Sequence, residues 1–175
     1  MLNILSGLLN DYTGNIWLNE NLHSLIDDRE IRRHISYITQ DNYVFSISVK
    51  DNITLYKDIS IASVKRACEN LNIRNAIKKL PNNYETVLNK HGNDLSGGEK
   101  QRICIARSLV DEPEIYLFDE ITSAIDNVNT KQLIETVELL AQKAIVIMTT
   151  HDNLKFNLPV KELYIKDMKF VEECA

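Results

Sequence analysis

Two stretches of the chain are apolar without alternation, Ile115 to Phe118 (IYLF) and Ala144 to Met148 (AIVIM). A half-buried strand alternates polar and apolar residues, so uninterrupted runs predict parallel strands covered on both faces. Ile35 to Thr39 (ISYIT) reads as a third strand, ending at Gln40. Elsewhere apolar residues recur three and four apart, the spacing of one helix face. Val64, Ala67, Cys68 and Leu71 predict a helix over 61–71, and a second follows over 73–80 until Pro81-Asn82-Asn83 ends it. Ile103, Ala106 and Val110 predict a helix over 101–110, broken by Asp111-Glu112-Pro113. Leu133, Val137 and Leu140 predict one over 129–142.

The flanks are weaker. Met1 to Leu9 is apolar with helical character, weakened by Gly7. Gly14 to Leu18 predicts a strand with Trp17 as a packing residue, and Asn19 to Asn21 the next turn. Asp28 to His34 is charged and reads as helix or loop. Leu163 to Val171 predicts a hairpin around Lys166 to Lys169. His23, His34 and His91 are expected at the surface.

Strands alternating with helices predict an α/β fold, in which ligands bind at the carboxyl ends of strands. Three groups fall there. Asp119 and Glu120 end the first apolar run, His151 follows the second after Thr149-Thr150, and Gln40 ends the third strand. Successive strand residues point to opposite faces, so the two acids suit separate tasks: one holds a metal, the other activates water. Ser96 suits a helix N-cap, and Gly97 and Gly98 let another molecule approach the backbone. A helix N-terminus there offers unpaired N–H groups to phosphate.

Composition narrows the classes. The 175 residues suffice for one domain with a core; 44% apolar and 26% charged residues are ordinary globular values. A net charge of -5 excludes a dedicated nucleic-acid binder. No apolar run approaches the roughly 20 residues of a membrane span, and no secretion signal opens the chain. Cys68, Cys104 and Cys174 have neither metal spacing nor an even count, so they read as free cytosolic thiols, Cys104 on a helix against the core.

Leu95 to Arg102 (LSGGEKQR) resembles the signature motif of the ATP-binding cassettes of ABC transporters. Tyr116 to Glu120 (YLFDE) resembles their Walker B motif, and Ser123 to Asp126 (SAID) their D-loop. DNYVFSISVKDNI after Gln40 is similar to the exporter form of their Q-loop, with Val44-Phe45 and Asn52-Ile53 at its paired positions and Thr39 where proline is common. Lys90-His91-Gly92 stands where exporters often carry an acidic loop, and Met168 where many cassettes have a turn glycine.

The resemblance implies a P-loop NTPase-like, mostly parallel sheet with a helical subdomain inserted between Q-loop and signature. It implies one partial cassette over 1–175, with 1–46 and 108–175 in the core and 47–107 in the subdomain. It implies ATP and Mg²⁺ as ligands, a second cassette and membrane domains as partners, and a place on the cytoplasmic side of the membrane. By position, Asp119 and Gln40 would hold Mg²⁺, and Glu120 would be the general base. His151 would contact the γ-phosphate and, with Gln40, order the water. Ser96, Gly97 and Gly98 would bind the partner's ATP, and Asp126 would couple the two sites.

One motif is not in the chain. The phosphate loop GxxxxGK[ST] needs two glycines five apart; only Gly92 and Gly97 have that separation, and Gly98-Glu99 follows them. Met1 to Leu8 resembles the helix just past that loop. Backbone N–H groups and the loop's lysine supply most of a phosphate cradle, so no ATP turnover is expected of the isolated chain. The strand before the loop is expected to be missing too, and Ile115 to Phe118 to present an unpaired, aggregation-prone edge. Two other readings are weighed. One is a non-catalytic partner or gene remnant lending its signature to a complete cassette. The other is a soluble cassette acting on DNA or translation, which the acidic balance and the exporter-like Q-loop disfavour.

Overall fold

The three predicted strands form one parallel sheet. In a computed structural model of the protein, the described residues are 1–39, 41, 43–89, 94–122, 127–166 and 169–172, with side chains except at 127–129, 165–166 and 169–172. Strand β3 (Ile35–Ile38) pairs with β4 (Ile115–Asp119), and β4 with β5 (Ile145–Thr149), so that Ile35, Ile115 and Ile145 lie side by side. Two short hairpins flank the sheet in sequence: β1 (Trp17–Leu18) with β2 (Asn21–Leu22), and β6 (Leu163–Lys166) with β7 (Lys169–Glu172).

The sheet corrects one expectation. β4 is not an edge, because β5 supplies its second neighbour. Its pattern shows it: Tyr116, Leu117 and Phe118 are buried, whereas Ile145 on β5 is 60% exposed. Among the described residues β3 and β5 each pair on one side only, and of these two edges β5 is the one that exposes a large apolar side chain, Ile145.

Helices cover both faces. Side-by-side residues of parallel strands share a face, so Tyr116, Phe118, Val146 and Met148 look one way and Leu117 and Ile147 the other. The first face packs on the larger core, with Ile103, Ala106, Leu133 and Val137. The second packs on Leu2 of helix α1 (Leu2–Leu5) and Ile31 of α2 (Asp28–His34). α2 is a true helix: Asp27 accepts a bond from the Arg29 N–H at 2.8 Å, acids fill its first turn and bases its last.

Between β3 and β4 the chain forms α3 (Val49–Thr54), α4 (Ile61–Asn70), α5 (Arg74–Lys79) and α6 (Gly97–Leu109). The predicted stripe of α4 is buried at Val64, Ala67, Cys68 and Leu71. α6 packs against α3, α4 and β3. It begins four residues before the predicted Gln101, because Ser96 caps it and carries both glycines into its first turn. α7 (Asn127–Ala141) joins β4 to β5 and buries Leu133 and Val137.

The amino-terminal region departs most from expectation. α1 spans only Leu2–Leu5; the Ser6 hydroxyl bonds to the Asn3 carbonyl, and Gly7 turns the chain at φ +69°. The predicted strand over 14–18 shrinks to two residues, and Trp17 is 59% exposed rather than packed. His23 is not at the surface: it is 1% exposed, with Nδ1 3.3 Å from the Tyr12 hydroxyl and Nε2 3.3 Å from the Leu5 carbonyl. It ties the turn at 23–25 to the end of α1. Cys104 is buried on α6 as expected; Cys174, His91 and Met168 lie outside the described residues.

Candidate functional site

Parallel strands in register bring their carboxyl ends to one rim. Asp119 closes β4 beside Thr149 on β5, and the Thr149 hydroxyl donates to Asp119 Oδ1 at 2.6 Å. From β3 the Tyr37 hydroxyl donates to Oδ2 at 2.9 Å. Both carboxylate oxygens are thus oriented by neutral donors from the two flanking strands. Burial, then the bond to Asp119, pushes the Tyr37 phenol up to about 12, which keeps it a donor at neutral pH. A carboxylate has about four acceptor positions, so two stay open for water or a metal.

Glu120 is set apart by its backbone. Its φ is +51°, a region that non-glycine residues seldom occupy, and its N–H donates to the Thr149 carbonyl at 3.1 Å. The left-handed turn swings the side chain off the strand line to meet His151, whose Nε2 lies 2.9 Å from Glu120 Oε1. The imidazole is 89% exposed and the carboxylate 30%, so the pair stands open to a ligand. Strained positions of this kind cluster at functional sites.

The two loops behind the pair are fastened together. Thr122 donates to Asp152 Oδ2 at 2.6 Å, and the Asp152 N–H donates to the Thr150 hydroxyl at 2.9 Å. These bonds flank Glu120 on one side and His151 on the other.

Ser96, Gly97 and Gly98 sit at the head of α6. Ser96 and Glu99 form a capping box: the Ser96 hydroxyl accepts from the Glu99 N–H, and Glu99 Oε2 accepts from the Ser96 N–H at 2.8 Å. Ser96 and Gly97 are exposed, and a Cβ at Gly97 would meet nothing within 4 Å. Ser96 directs its side chain to Glu99 within its own turn. Gln40 and Asp126 lie outside the described residues.

The loop after Gln40 is pinned from below. Buried Asn52 accepts from the Phe45 N–H at 2.8 Å and donates to the Phe45 and Ser48 carbonyls at 3.0 Å. Arg107 Nε donates to the Asn52 carbonyl at 2.8 Å, and its guanidinium lies 5.4 Å from the centre of the Phe45 ring.

Sequence reasoning missed Tyr37, Thr149, Thr122 and Asp152. Tyr37 and Thr149 lie on the same sheet face as Asp119, a relation visible only once the register is known. Thr122 and Asp152 each neighbour a predicted residue closely, and that proximity was the available signal.

The geometry fits a magnesium-assisted phosphate site in its donor set. Mg²⁺ binds through one or two carboxylates, water and substrate phosphates rather than an all-protein cage. Asp119 offers one such ordered carboxylate, and no group of three or more His, Cys, Asp or Glu among the described residues has metal-binding geometry.

Comparison with known proteins gives this geometry its relatives. The family model described as ABC transporter matches residues 1–123. The lactococcin-G-processing and transport ATP-binding protein LagD of Lactococcus lactis subsp. lactis is 34% identical over 128 residues, covering 72% of this chain and 18% of its own length. Multidrug resistance protein 1 of Plasmodium falciparum (isolate FC27 / Papua New Guinea) is 37% identical over 148 residues, covering 79% of this chain and 10% of its own. A bacterial Atm1-family ABC exporter, solved with ATP bound, superposes with a TM-score of 0.79 at 31% identity over 86% of this chain and 27% of that one. The chain therefore spans a quarter or less of the length of these curated relatives. Motif order, the parallel sheet and the matched family model together place the chain in the ABC transporter family of ATP-binding domains.

Proposed function

We propose that this chain is part of the ATP-binding cassette of an ABC exporter, and that its two exposed features serve two different nucleotides. The observation that carries this reading is the rim: Glu120 at φ +51° facing His151 at 2.9 Å, beside an Asp119 fixed by Tyr37 and Thr149. Glu120 is the general base, its carboxylate taking a proton from the attacking water. His151 holds Glu120 through Nε2 and offers its exposed ring edge to the γ-phosphate. Asp119 would hold Mg²⁺, which would supply neutralisation of charge on the phosphate oxygens. Gln40 helps order the water, and Asp126 couples the two sites. Ser96, Gly97 and Gly98 present the head of α6 to the nucleotide of a second cassette.

Residues 47–107 form the helical subdomain in this reading, and 1–46 with 108–175 the core. Tyr43 and Phe45, 56% and 40% exposed, pack edge to face on the loop that Asn52 and Arg107 pin. They offer a rigid apolar knob to a helix of the membrane domains, holding the chain at the cytoplasmic side of the membrane. No helix among the described residues is long and apolar enough to cross a membrane.

The 175 residues contain no GxxxxGK[ST], so by themselves they turn over no ATP, and their signature turn faces the nucleotide of a second cassette. The test mixes the chain with a complete exporter cassette, with and without ATP and Mg²⁺. ATP-dependent association that Gly97→Arg abolishes is expected. Absence of association defeats the reading; ATP turnover by the chain alone, lost in Glu120→Gln, defeats its inactivity.

A further inference from the structure

The head of α6 and the acid–imidazole rim are separate regions, but one buried side chain joins them. Gln101 lies one helical turn into α6 and is 1% exposed. Its Nε2 donates to the Ile121 carbonyl at 2.6 Å. Its Oε1 is buried without a hydrogen-bond partner among the described residues. Flipping the amide would set two oxygens against each other, so the single bond fixes its orientation.

Ile121 occupies the point where both halves of the rim meet. It follows Glu120 directly, and it precedes Thr122, whose hydroxyl holds Asp152 beside His151. Nothing in the left-handed conformation of Glu120 maintains itself; a surrounding structure must over-determine it. The Ile121 carbonyl, held from α6, is such a restraint. An α-helix is stiff along its axis and rises about 1.5 Å per residue, so Gln101 sits roughly 7–8 Å from the Ser96 cap on the same rigid body.

We propose that Gln101 is a positioning residue that sets Glu120 against His151 by holding the turn between them to α6. Resting on the reading above, the same helix then presents its head to one nucleotide and positions the base for another. A displacement of α6 at its amino end moves the Ile121 carbonyl, and with it the carboxylate of Glu120. Catalytic geometry is sensitive to shifts of about 1 Å, which cost on the order of 10²-fold in rate.

The test uses the full chain without nucleotide, so that its result does not depend on ATP binding. Gln101→Met removes the unpartnered Oε1 and the Nε2 donor together, leaving the volume filled and one carbonyl unpaired. These changes oppose each other, and the melting temperature is expected to stay within about 4 °C of wild type. The readout is the ring signals of His151 in ¹H–¹³C spectra, with Glu120→Gln marking their position when the carboxylate is absent. The expected result is that Gln101→Met moves them most of the way to the Glu120→Gln position. Amide exchange at Thr122 should quicken about tenfold, the loss of one ordinary hydrogen bond. His151 signals that superpose on wild type would overturn the proposal. So would loss of a cooperative melt in both Gln101→Met and Gln101→Leu, which would make Gln101 a packing residue. A chain that fails to associate with a complete cassette in ATP, yet shows the His151 shift, would sink the functional reading and leave the tether standing.

Discussion

The head of α6 and the rim of the sheet are both built to face phosphate, and they are held together in opposite ways. The α6 turn is local: Ser96 and Glu99 satisfy each other within four residues, and Gly97 leaves the approach open. The rim is assembled from afar: Tyr37, Asp119, Thr149 and His151 come from three strands and the loop beyond. A local turn forms wherever its helix forms. A rim needs the sheet in register, since a slip of one residue would turn Asp119 to the opposite face. The turn is suited to be carried as a unit toward a partner, and the rim to stay fixed while chemistry occurs.

The largest effect should come from undoing the non-local side. Tyr37→Phe with Thr149→Val removes both donors to Asp119. Hydrogen bonds to a charged group are worth ~1.5–3 kcal/mol each, and partial exposure puts these at the low end. The double variant should lose about 3 kcal/mol in chemical denaturation. Amide exchange at Glu99 and Lys100, inside the capping box, should stay as in wild type. Equal loss of protection there would mean that the turn is no more local than the rim.

Glu120 sharpens the contrast, because there the rim trades stability for placement. Glycine tolerates φ +51° where glutamate is strained, so Glu120→Gly should raise stability by about 1 kcal/mol once glycine's extra chain entropy is counted. The same change removes the partner of His151. A melt no higher than wild type would show that the backbone there is not strained.

The difference also explains what the sequence could reveal. The signature turn, the apolar runs and the stripe of α4 were legible because each depends on neighbours close in the chain. Asp119, Glu120 and His151 were legible by position alone, as ends of strands. Their supports were not: Tyr37 reads as an ordinary strand aromatic until β3 is laid beside β4. Pairing order was the other blind spot. The chain's apolar runs do not say which strand lies in the middle, so an open edge was assigned to β4, which is the central strand between β3 and β5. Trp17 and His23 exchanged expected places because a two-residue hairpin buries little, whereas a histidine with two partners can be buried.

On the local side the effect should be smaller. Ser96→Ala removes the cap acceptor and should cost ~0.5–1 kcal/mol, toward the lower part of the range for N-caps because the turn is exposed. Exchange should quicken at Glu99 and Lys100 while the His151 ring signals stay in place. Movement of those signals would mean that the cap, and not Gln101 alone, governs the rim.

The smallest effect lies at the opposite, amino end of the strands, where β3 and β4 are joined by charge rather than by buried bonds. His34 ends α2, its Nε2 3.2 Å from Glu30 and its Nδ1 3.0 Å from Glu114, with Arg33 also on Glu30 at 2.9 Å. The bonds to Glu30 and then Glu114 raise the His34 pKa above its ordinary 6.5, and the bond from His34 lowers that of Glu30 below 4.5. A raised histidine contributes fully below its unfolded pKa and loses that contribution as pH rises through the folded value. A lowered carboxylate contributes above its unfolded pKa and loses it as pH falls through the folded value. The folded chain should therefore lose a little stability just above pH 6.5 and again below pH 4.5. His34→Gln should flatten the upper slope, and added salt should weaken it, since these groups are exposed. The bonds to Asp119, donated by the neutral hydroxyls of Tyr37 and Thr149, should be unchanged in that variant and insensitive to salt. A slope near neutrality that survives His34→Gln unchanged would show that this charged cluster is not its source.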